Sequence, residues 1–400
     1  MRIAALAALL LTGCASVPAP QVTVPARVAI AFDLKGETGA KAEGLADPVT
    51  GRLVTPDDPV RIASVSKLVV AIGVMKLLEQ GRLDLDADVS ATLGWRLRNP
   101  AFPDRPITLR QLLSHTSSLR DGDDAYVIAL GKTVREALND PAVWDAAHGP
   151  GSGYFAYSNF NFPVIGSIVE RATGERFDMW MRREVLQPMK LDACFNWPTC
   201  SDAAVARAVV LTQDGKTVRD DLGGKHPPCP VVAAADGSCD LSWWRPGLNG
   251  ALFSPQGGLR ASARDLARIG RMLLNGGTLD GVKILSAQSV EAMLAPVWQF
   301  DGANGARDGE SEGVCSYGLA VRRLPTCADQ SDLAERTAHM WWGHAGDAYG
   351  LRSGLWIDRR RGVGVAYYVT GLPDDAPRGN SSFSAAEEEA FARAVALARR

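Results

Sequence analysis

Strand patterns at both ends of the chain, with helical patterns between them, constrain the fold more than any other feature of the sequence. Residues 28–34 and 52–56 predict an N-terminal antiparallel hairpin. Further strands are predicted late in the chain, at 316–323, 339–343, 351–357 and 362–369. Apolar residues at helical spacing predict helices in the middle, at 64–80, 107–114, 131–138, 163–171, 176–186 and 262–275. The sheet must therefore combine N- and C-terminal segments around a mostly helical insertion, which is an α+β fold.

The N-terminus is typical of a secretory leader, because Arg2 precedes an apolar run that is too short to span a bilayer. The run ends in Leu-Thr-Gly-Cys, which resembles the lipobox at which bacterial signal peptidase II cuts before a cysteine. We therefore predict a signal peptide over 1–13, lipid attachment at Cys14 and a proline-rich tether over 14–27. The residue after Cys14 is alanine rather than aspartate, which is typical of lipoproteins on the periplasmic side of the outer membrane.

Composition excludes some classes of function. The chain is 46% hydrophobic and 22% charged, so it can bury a large core and is not disordered. Its formal net charge of −2 leaves no basic surface for nucleic acid, and we expect no nucleic-acid partner. We expect a monomeric domain over 28–400 that reaches the membrane only through its lipid.

The seven cysteines divide into Cys14 and three neighbouring couples in what we expect to be an oxidising compartment. We predict disulfides that each close a short loop, Cys194–Cys200, Cys229–Cys239 and Cys315–Cys327. Two of them would staple the loop-like region 196–255, whose length suggests a function. A metal site at His226 and Cys229 is an alternative, but no C-x-x-C or H-E-x-x-H pattern accompanies them, so we predict no metal and no cofactor.

Ser64-Val65-Ser66-Lys67 places a serine and a lysine three residues apart where a helix begins. Residues at i and i+3 are neighbours on a helix, so the lysine amine can lie beside the serine hydroxyl. The positive potential of the helix N-terminus disfavours an ammonium ion and favours negative charge on oxygen. The pattern is short enough to occur by chance, but its chemistry predicts an activated nucleophilic serine.

Tyr157-Ser158-Asn159 lies on the loop before a predicted helix and is the only Tyr-x-Asn in the chain. A phenol can remove the serine proton only where nearby cations lower its pKa, and Lys67 could supply that field. The Asn159 amide could bind a substrate carbonyl. The alternative for this pair is a half-buried ring and an ordinary helix cap.

His344-Ala345-Gly346 follows an apolar segment and precedes another predicted strand. His344 could donate a hydrogen bond there, and Gly346 would let a substrate backbone approach closely. The backbone N–H groups of Asp347 and Ser64 could then form an oxyanion hole.

The three motifs, in this order, resemble those of the serine beta-lactamase and penicillin-binding-protein superfamily. The nearest branch is that of the class C beta-lactamases with related esterases and D-amino-acid peptidases. Similar segments surround the motifs, at 60–63, 81–86, 107–116 and 257–266, so the resemblance spans residues 28–370. It implies three α/β/α layers with a mixed, mainly antiparallel sheet, an all-helical lobe at roughly 90–195 and an active site in the cleft between them.

The resemblance also implies a role for each motif residue. Ser64 corresponds to the nucleophile, Lys67 to its proton-handling partner, and Tyr157 to the general base and later acid. Asn159 would bind a substrate amide. His344 stands where many relatives carry a lysine that binds a substrate carboxylate, and histidine is a weaker, pH-dependent substitute. This departure favours esters or D-amino-acid peptides over beta-lactams.

We therefore predict a lipid-anchored periplasmic serine hydrolase that acts on a small-molecule or peptide acyl substrate through a Ser64 acyl-enzyme. The alternative is a penicillin-binding or sensor protein that keeps the fold but turns over slowly. Ser311, in Gly309-Glu310-Ser311-Glu312-Gly313, matches the G-x-S-x-G nucleophile elbow of other hydrolases. Its polar, glycine-rich surroundings predict a surface loop instead of the strand and helix that an elbow needs.

Overall fold

The computed structural model describes residues 25–324 and 340–398. Its strands are β1 (Arg27–Asp33), β2 (Glu37–Glu43), β3 (Leu45–Asp47), β4 (Arg52–Leu53), β5 (Val60–Arg61), β6 (Cys194–Phe195), β7 (Leu211–Gln213), β8 (Lys216–Arg219), β9 (Leu259–Ala261), β10 (Thr278–Leu279), β11 (Val282–Lys283), β12 (Trp298–Gln299), β13 (Ser316–Tyr317), β14 (Arg322–Leu324), β15 (Trp341–Ala348), β16 (Leu351–Asp358) and β17 (Val363–Val369). Its helices are α1 (Val65–Glu79), α2 (Ser90–Leu93), α3 (Leu109–Leu113), α4 (Val134–Ala137), α5 (Asn161–Thr173), α6 (Phe177–Met181), α7 (Asp202–Ala206), α8 (Ala263–Leu274), α9 (Ala287–Leu294) and α10 (Ala385–Ala398). Short 3₁₀ turns occupy Pro141–Val143, Leu241–Trp243 and Gly309–Ser311, and a π-helical turn at Arg182–Leu186 follows α6.

The main sheet has eight strands in the order β12-β13-β14-β15-β16-β17-β1-β2, and neighbouring strands pair antiparallel. β1 lies between β2 and the C-terminal β17, with Ala31 opposite Val365. The predicted α+β fold, with a mainly antiparallel sheet built from both ends of the chain, is confirmed.

Helices cover both faces of this sheet. Because successive side chains of a strand point to opposite faces, Ala29 packs in the cluster that includes residues of α10, whereas Val28 and Ile30 belong to the core shared with α1 and α8. α8 can approach β1 closely because a Cβ atom at Gly270 would overlap the Phe32 ring. The helix-sheet-helix layering is therefore present around β1.

The N-terminal hairpin differs from its prediction. β1 pairs with β2, whereas Arg52–Leu53 pairs with the short β3. β2 is an edge strand of sequence ETGAKAE whose residues are exposed or half-buried. It lacks the apolar alternation by which a strand is recognised in sequence.

A separate three-stranded sheet is formed by β5, β9 and β6. In this sheet β9 lies between β5, which precedes α1, and β6, which follows the π-helical turn. The disulfides Cys194–Cys200 and Cys229–Cys239 are present as predicted. Cys327, the expected partner of Cys315, lies outside the described residues, as do the predicted leader and Cys14.

Two further findings concern residues 25–324 and 340–398. No helix in these ranges is both long enough and apolar enough to cross a membrane. In the same ranges, no three His, Cys, Asp or Glu side chains lie together as metal ligands would.

Candidate active site

Ser64 stands at the N-terminus of α1, a helix that is buried over most of its surface. Ala63 before it has a φ of 47°, in the left-handed region that alanine rarely adopts. β15 closes on this turn, because a Cβ atom at Gly346 would clash with the Ile62 carbonyl oxygen and lie 3.2 Å from the Ala63 Cβ. The sequence predicts that Gly346 makes room for substrate, whereas in the structure the missing side chain makes room for the backbone that presents Ser64.

The Lys67 amine, one turn further along α1, is buried among oxygen atoms. Nζ donates to Ser64 Oγ at 2.8 Å, to Asn159 Oδ1 at 2.7 Å and to the Gln256 carbonyl oxygen at 2.8 Å. Burial lowers the pKa of Lys67 to about 8, although the Glu310 carboxylate acts in the opposite direction. Lys67 can therefore be neutral near the pH at which proteins work, and its amine lies within reach of the Ser64 proton.

Tyr157 lies on the loop that leads into α5, with its ring centroid 4.9 Å from Lys67 Nζ and stacked on His115. Among the described residues, its buried hydroxyl makes no hydrogen bond of ordinary geometry, although Ser64 is close enough to act on its pKa. Burial, followed by the Glu310 carboxylate, raises the pKa of Tyr157 well above its usual value. The sequence predicts that Lys67 lowers this pKa, but burial dominates, and the phenol stays protonated.

Both the oxygen and the nitrogen of the Asn159 side-chain amide form hydrogen bonds within the protein. The amide oxygen accepts from Lys67, and Nδ2 donates to Asp121 Oδ2 at 2.9 Å and to Glu310 Oε1 at 3.1 Å. Asp121 Oδ1 accepts from the Ser158 hydroxyl at 2.8 Å and from the N–H of the residue after Asn159 at 3.0 Å. Asp121 thus holds the Tyr-Ser-Asn loop in place, and Asn159 positions the Lys67 amine.

The segment at 309–313 is not a nucleophile elbow, since it forms a 3₁₀ turn rather than a strand followed by a helix. The prediction of a surface loop is nevertheless wrong for Ser311, which is buried and accepts a hydrogen bond of 2.9 Å from the Tyr157 backbone N–H. Glu310 in the same turn is exposed, and its carboxylate accepts the bond from Asn159. The segment therefore supports the Tyr-Ser-Asn loop.

His344 on β15 is buried and uncharged. Its Nδ1 lies 2.6 Å from the Ala345 carbonyl oxygen, which can only accept, so Nε2 accepts from the Tyr317 hydroxyl at 2.8 Å. Burial, followed by the Lys67 charge, lowers the pKa of His344 to about 3. The pH-dependent cation that the sequence predicts at this position does not form near neutral pH.

Ser64 borders two cavities, of about 950 Å³ on the side of Cys229 and about 390 Å³ on the side of His344. Asp347 borders both cavities as well, and its carboxylate pairs with Arg352. The two residues predicted to supply the oxyanion hole therefore border the same two cavities, and a substrate can extend in either direction from the nucleophile.

Comparison with known proteins decides the family. The family model described as beta-lactamase matches residues 24–387. The chain belongs to the beta-lactamase family. This family member is 28% identical to penicillin-binding protein 4 of Amycolatopsis lactamdurans over 311 residues, which cover 72% of this chain and 76% of the relative. It is 33% identical to esterase EstB of Burkholderia gladioli over 172 residues, which cover 38% and 42%.

Solved structures of the beta-lactamase fold superpose on nearly the whole chain. A class C beta-lactamase from Rhodobacter sphaeroides has a TM-score of 0.65 at 16% identity and covers 92% of this chain and 93% of its own. A D-amino acid amidase from Ochrobactrum anthropi has a TM-score of 0.64 at 19% identity, with 95% of both chains covered. The family and the fold together identify the chain as a hydrolase of the beta-lactamase fold.

Several polar residues of the site were not predicted, among them Asp121, Glu310, His115 and Tyr317. Asp121 and Glu310 lie in turns rich in glycine and aspartate, which in sequence look like ordinary surface turns. His115 lies in the segment 107–116 that resembles the family, and this resemblance is the one feature of the sequence that could have indicated a role for it. Its Nδ1 accepts the Ser158 backbone N–H at 3.0 Å, so it supports the same loop as Asp121.

Proposed function

We propose that this protein is a serine hydrolase that cleaves an ester, an amide or a D-amino-acid peptide through an acyl-enzyme on Ser64. One observation carries the proposal. The Lys67 amine, whose pKa burial lowers to about 8, lies 2.8 Å from Ser64 Oγ. A serine beside an amine that is partly neutral can lose its proton as it attacks a carbonyl carbon.

Acylation begins when the neutral Lys67 amine takes the Ser64 proton and Oγ bonds to the substrate carbonyl carbon. The carbonyl oxygen becomes an oxyanion, which the backbone N–H groups of Ser64 and Asp347 stabilise. The bond between this carbon and the leaving group then breaks as Tyr157 protonates the leaving group, and Tyr157 regains a proton from the Lys67 ammonium. In deacylation the neutral Lys67 amine takes a proton from a water molecule, whose oxygen attacks the acyl carbon. The bond from this carbon to Ser64 Oγ breaks, the Lys67 ammonium returns the proton to Oγ, and the acid leaves.

The neutral His344 bears on the choice of substrate. A beta-lactam carries a carboxylate that the lysine of the resembled family would meet, and His344 offers no charge to it. A penicillin-binding protein, an esterase and a D-amino acid amidase stand among the relatives and structural neighbours. We therefore place esters and D-amino-acid derivatives before beta-lactams.

A second candidate is a penicillin-binding or sensor protein that acylates but turns over slowly. The raised pKa of Tyr157 favours it, because the motif resemblance gives this phenol the role of base, and burial holds its proton so that Lys67 alone would have to activate the water. The two candidates differ in stoichiometry. Repeated turnover of p-nitrophenyl butyrate supports the hydrolase, whereas release of a single equivalent of nitrophenol supports the sensor.

A fluorophosphonate probe tests the nucleophile. Mass spectrometry should find the probe on Ser64, and Ser64→Ala should abolish both labelling and ester turnover. Ser311→Ala is the control, since Ser311 is the serine of the competing G-x-S-x-G pattern and this variant should still be labelled at Ser64. Labelling that persists in Ser64→Ala would falsify the proposal.

We further propose that the protein is a monomer held by a lipid on Cys14 to the periplasmic side of the outer membrane. The support is the lipobox-like sequence that ends at Cys14. Radioactive palmitate should label the protein in a bacterial host and should not label Cys14→Ala. An unlabelled wild-type protein in the soluble fraction contradicts this location.

A further inference from the structure

Two arginines flank one tyrosine ring at the wall of the larger cavity. Tyr349 and Gly350 form the turn between β15 and β16, with φ values of 55° and 71°. The guanidinium carbons of Arg61 and Arg219 lie 5.1 Å and 4.7 Å from the centroid of the Tyr349 ring. Arg219 also donates to the tyrosine hydroxyl at 3.3 Å. Both arginines and the tyrosine line the cavity that Ser64 borders.

Neither guanidinium has a carboxylate partner within residues 25–324 and 340–398. In that part of the chain, Arg61 makes no side-chain hydrogen bond or ion pair, and its Nε is buried. The bond to the tyrosine hydroxyl is the one that Arg219 makes there. Asp220, the acid that acts on Arg61, is bonded to Arg260 at 2.8 Å and to an indole N–H at 2.9 Å.

The pKa shifts of Arg61 and Tyr349 indicate an excess of positive charge around the tyrosine ring. Burial, followed by the charge of Arg260, lowers the pKa of Arg61 to about 10. Burial alone would raise the pKa of Tyr349, but the charges of Arg61 and Arg219 outweigh it and lower that pKa. Cations that lower each other's pKa favour the arrival of an anion.

The other carboxylates of the cavity have partners of their own. Glu310 accepts from Asn159, Asp347 pairs with Arg352, Asp374 accepts from Gln213 at 2.9 Å, and Asp124 bonds to Tyr126. None of these four is among the groups that act most strongly on Arg61. Within the described residues, the two guanidiniums therefore keep their donors for a ligand, apart from the one that Arg219 gives to Tyr349.

We propose that Arg61 and Arg219 form a subsite for a carboxylate on the substrate whose carbonyl Ser64 attacks. The inference rests on the proposed function, because it needs Ser64 to be the nucleophile. A guanidinium presents paired N–H donors that match the two oxygens of a carboxylate. Cation–π contact with Tyr349 holds both guanidiniums before the substrate arrives. A substrate carboxylate would thus bind to Arg61 and Arg219 at the larger cavity, and not beside the neutral His344 at the smaller one.

Matched esters test this subsite in the detergent-solubilised full chain. The first pair is p-nitrophenyl hexanoate and the mono-p-nitrophenyl ester of adipic acid, which differ by a carboxylate at the end of the acyl group. The second pair, phenyl hexanoate and 3-carboxyphenyl hexanoate, carries the carboxylate on the leaving group. We expect kcat/KM to be at least about tenfold higher for the charged member of one pair. Free adipate should inhibit competitively, and less so at high salt.

Variants connect the preference to the arginines. Arg219 is exposed on β8, and Arg219→Gln should bring the ratio of kcat/KM between the charged and the neutral ester close to one. Arg61→Gln should do the same if its thermal unfolding shows a folded protein. Arg105→Gln is the matched control, since Arg105 is an exposed arginine that lies over Phe102 at 5.3 Å on another part of the surface.

The outcomes separate the two proposals. If hexanoate is cleaved through Ser64 but neither charged ester is preferred, the carboxylate subsite is wrong and the proposed function stands. A preference that survives in folded Arg219→Gln and Arg61→Gln, or that Arg105→Gln removes equally, also overturns the subsite. If no ester reacts at Ser64, the proposed function itself fails.

Discussion

The Tyr317 hydroxyl donates a hydrogen bond of 2.8 Å to Nε2 of His344. Both side chains are buried, and burial raises the pKa of Tyr317 well above its usual value, so the phenol keeps the proton that it donates. A neutral pair therefore occupies the position at which the motif resemblance predicts a cation. The pair and Ser64 border the same cavity, so a substrate in this cavity contacts two uncharged side chains at that position.

Tyr317→Phe should raise the pKa of His344, because the lost hydrogen bond stabilises the neutral imidazole. The pKa should remain below its ordinary value of 6.5, since the ring stays buried. Loss of one buried hydrogen bond should lower the free energy of unfolding by about 1–2 kcal/mol. An NMR titration of the imidazole nitrogens and urea unfolding measure the two effects. A His344 pKa that does not change in the folded variant would show that Tyr317 is not the donor.

Glu310→Gln should move the pH dependence of ester hydrolysis to lower pH. The Glu310 carboxylate raises the pKa of Lys67, so its removal lowers that pKa and yields the neutral amine at lower pH. The rising limb of kcat/KM, measured between about pH 5 and pH 10, reports this pKa. Asp308→Asn removes an exposed acid two residues away and is the matched control. Equal shifts in both variants, or none in Glu310→Gln, would argue against Lys67 as the base.

Gly346→Ala should impair both stability and catalysis. The added methyl group would push against the Ile62 carbonyl oxygen and the left-handed Ala63, and so displace Ser64. We expect a loss of about 1–3 kcal/mol in the free energy of unfolding and at least about a tenfold loss in kcat/KM. Gly36→Ala is the control, because a Cβ atom there meets nothing within 4 Å. Similar losses in both variants would contradict this account.

The ionisation of Glu170 should make stability depend on pH. This buried carboxylate on α5 accepts from Trp244 Nε1 at 2.8 Å and from the Gly247 N–H at 2.9 Å, yet burial raises its pKa to about 7. The folded state therefore holds the proton more tightly than the unfolded state, in which the pKa is about 4.5. The contribution to stability is complete below about pH 4.5 and is lost as the pH rises through about 7.

Urea unfolding at about pH 5 and about pH 8 measures this contribution, which should be up to about 3 kcal/mol. Glu170→Gln does not titrate and is expected to lack that part of the pH dependence. A variant with the same pH dependence as the wild-type protein would show that another group is responsible.

Local pattern was enough to predict much of the fold and the motif residues. The spacing of Ser64 and Lys67 places their side chains together on any helix, and apolar alternation marks the C-terminal strands. β2 has no such pattern because an exposed edge strand needs only its backbone to pair. Glu310 and Asp121 come to the site from turns far from the motifs, so only the tertiary structure reveals them.

The protonation states of the site residues also could not be predicted from the sequence. Whether Lys67, Tyr157 or His344 carries a charge depends on how much water each has lost and on which carboxylates lie nearby. These are properties of the packed molecule. The sequence identifies these residues, but it predicts a lowered pKa for Tyr157 and a pH-dependent cation at His344. Burial instead raises the pKa of Tyr157 and keeps His344 neutral.

The position of β1 beside β17 has a consequence for the synthesis of the protein. The Ala26 N–H donates to Thr370 Oγ1, 344 residues further along the chain, and the turn that presents Ser64 is closed by Gly346 of β15. A nascent chain therefore carries its nucleophile long before the segments that hold it in place. The site can form only when translation is almost complete, so a fragment that stops before β15 should have no hydrolase activity.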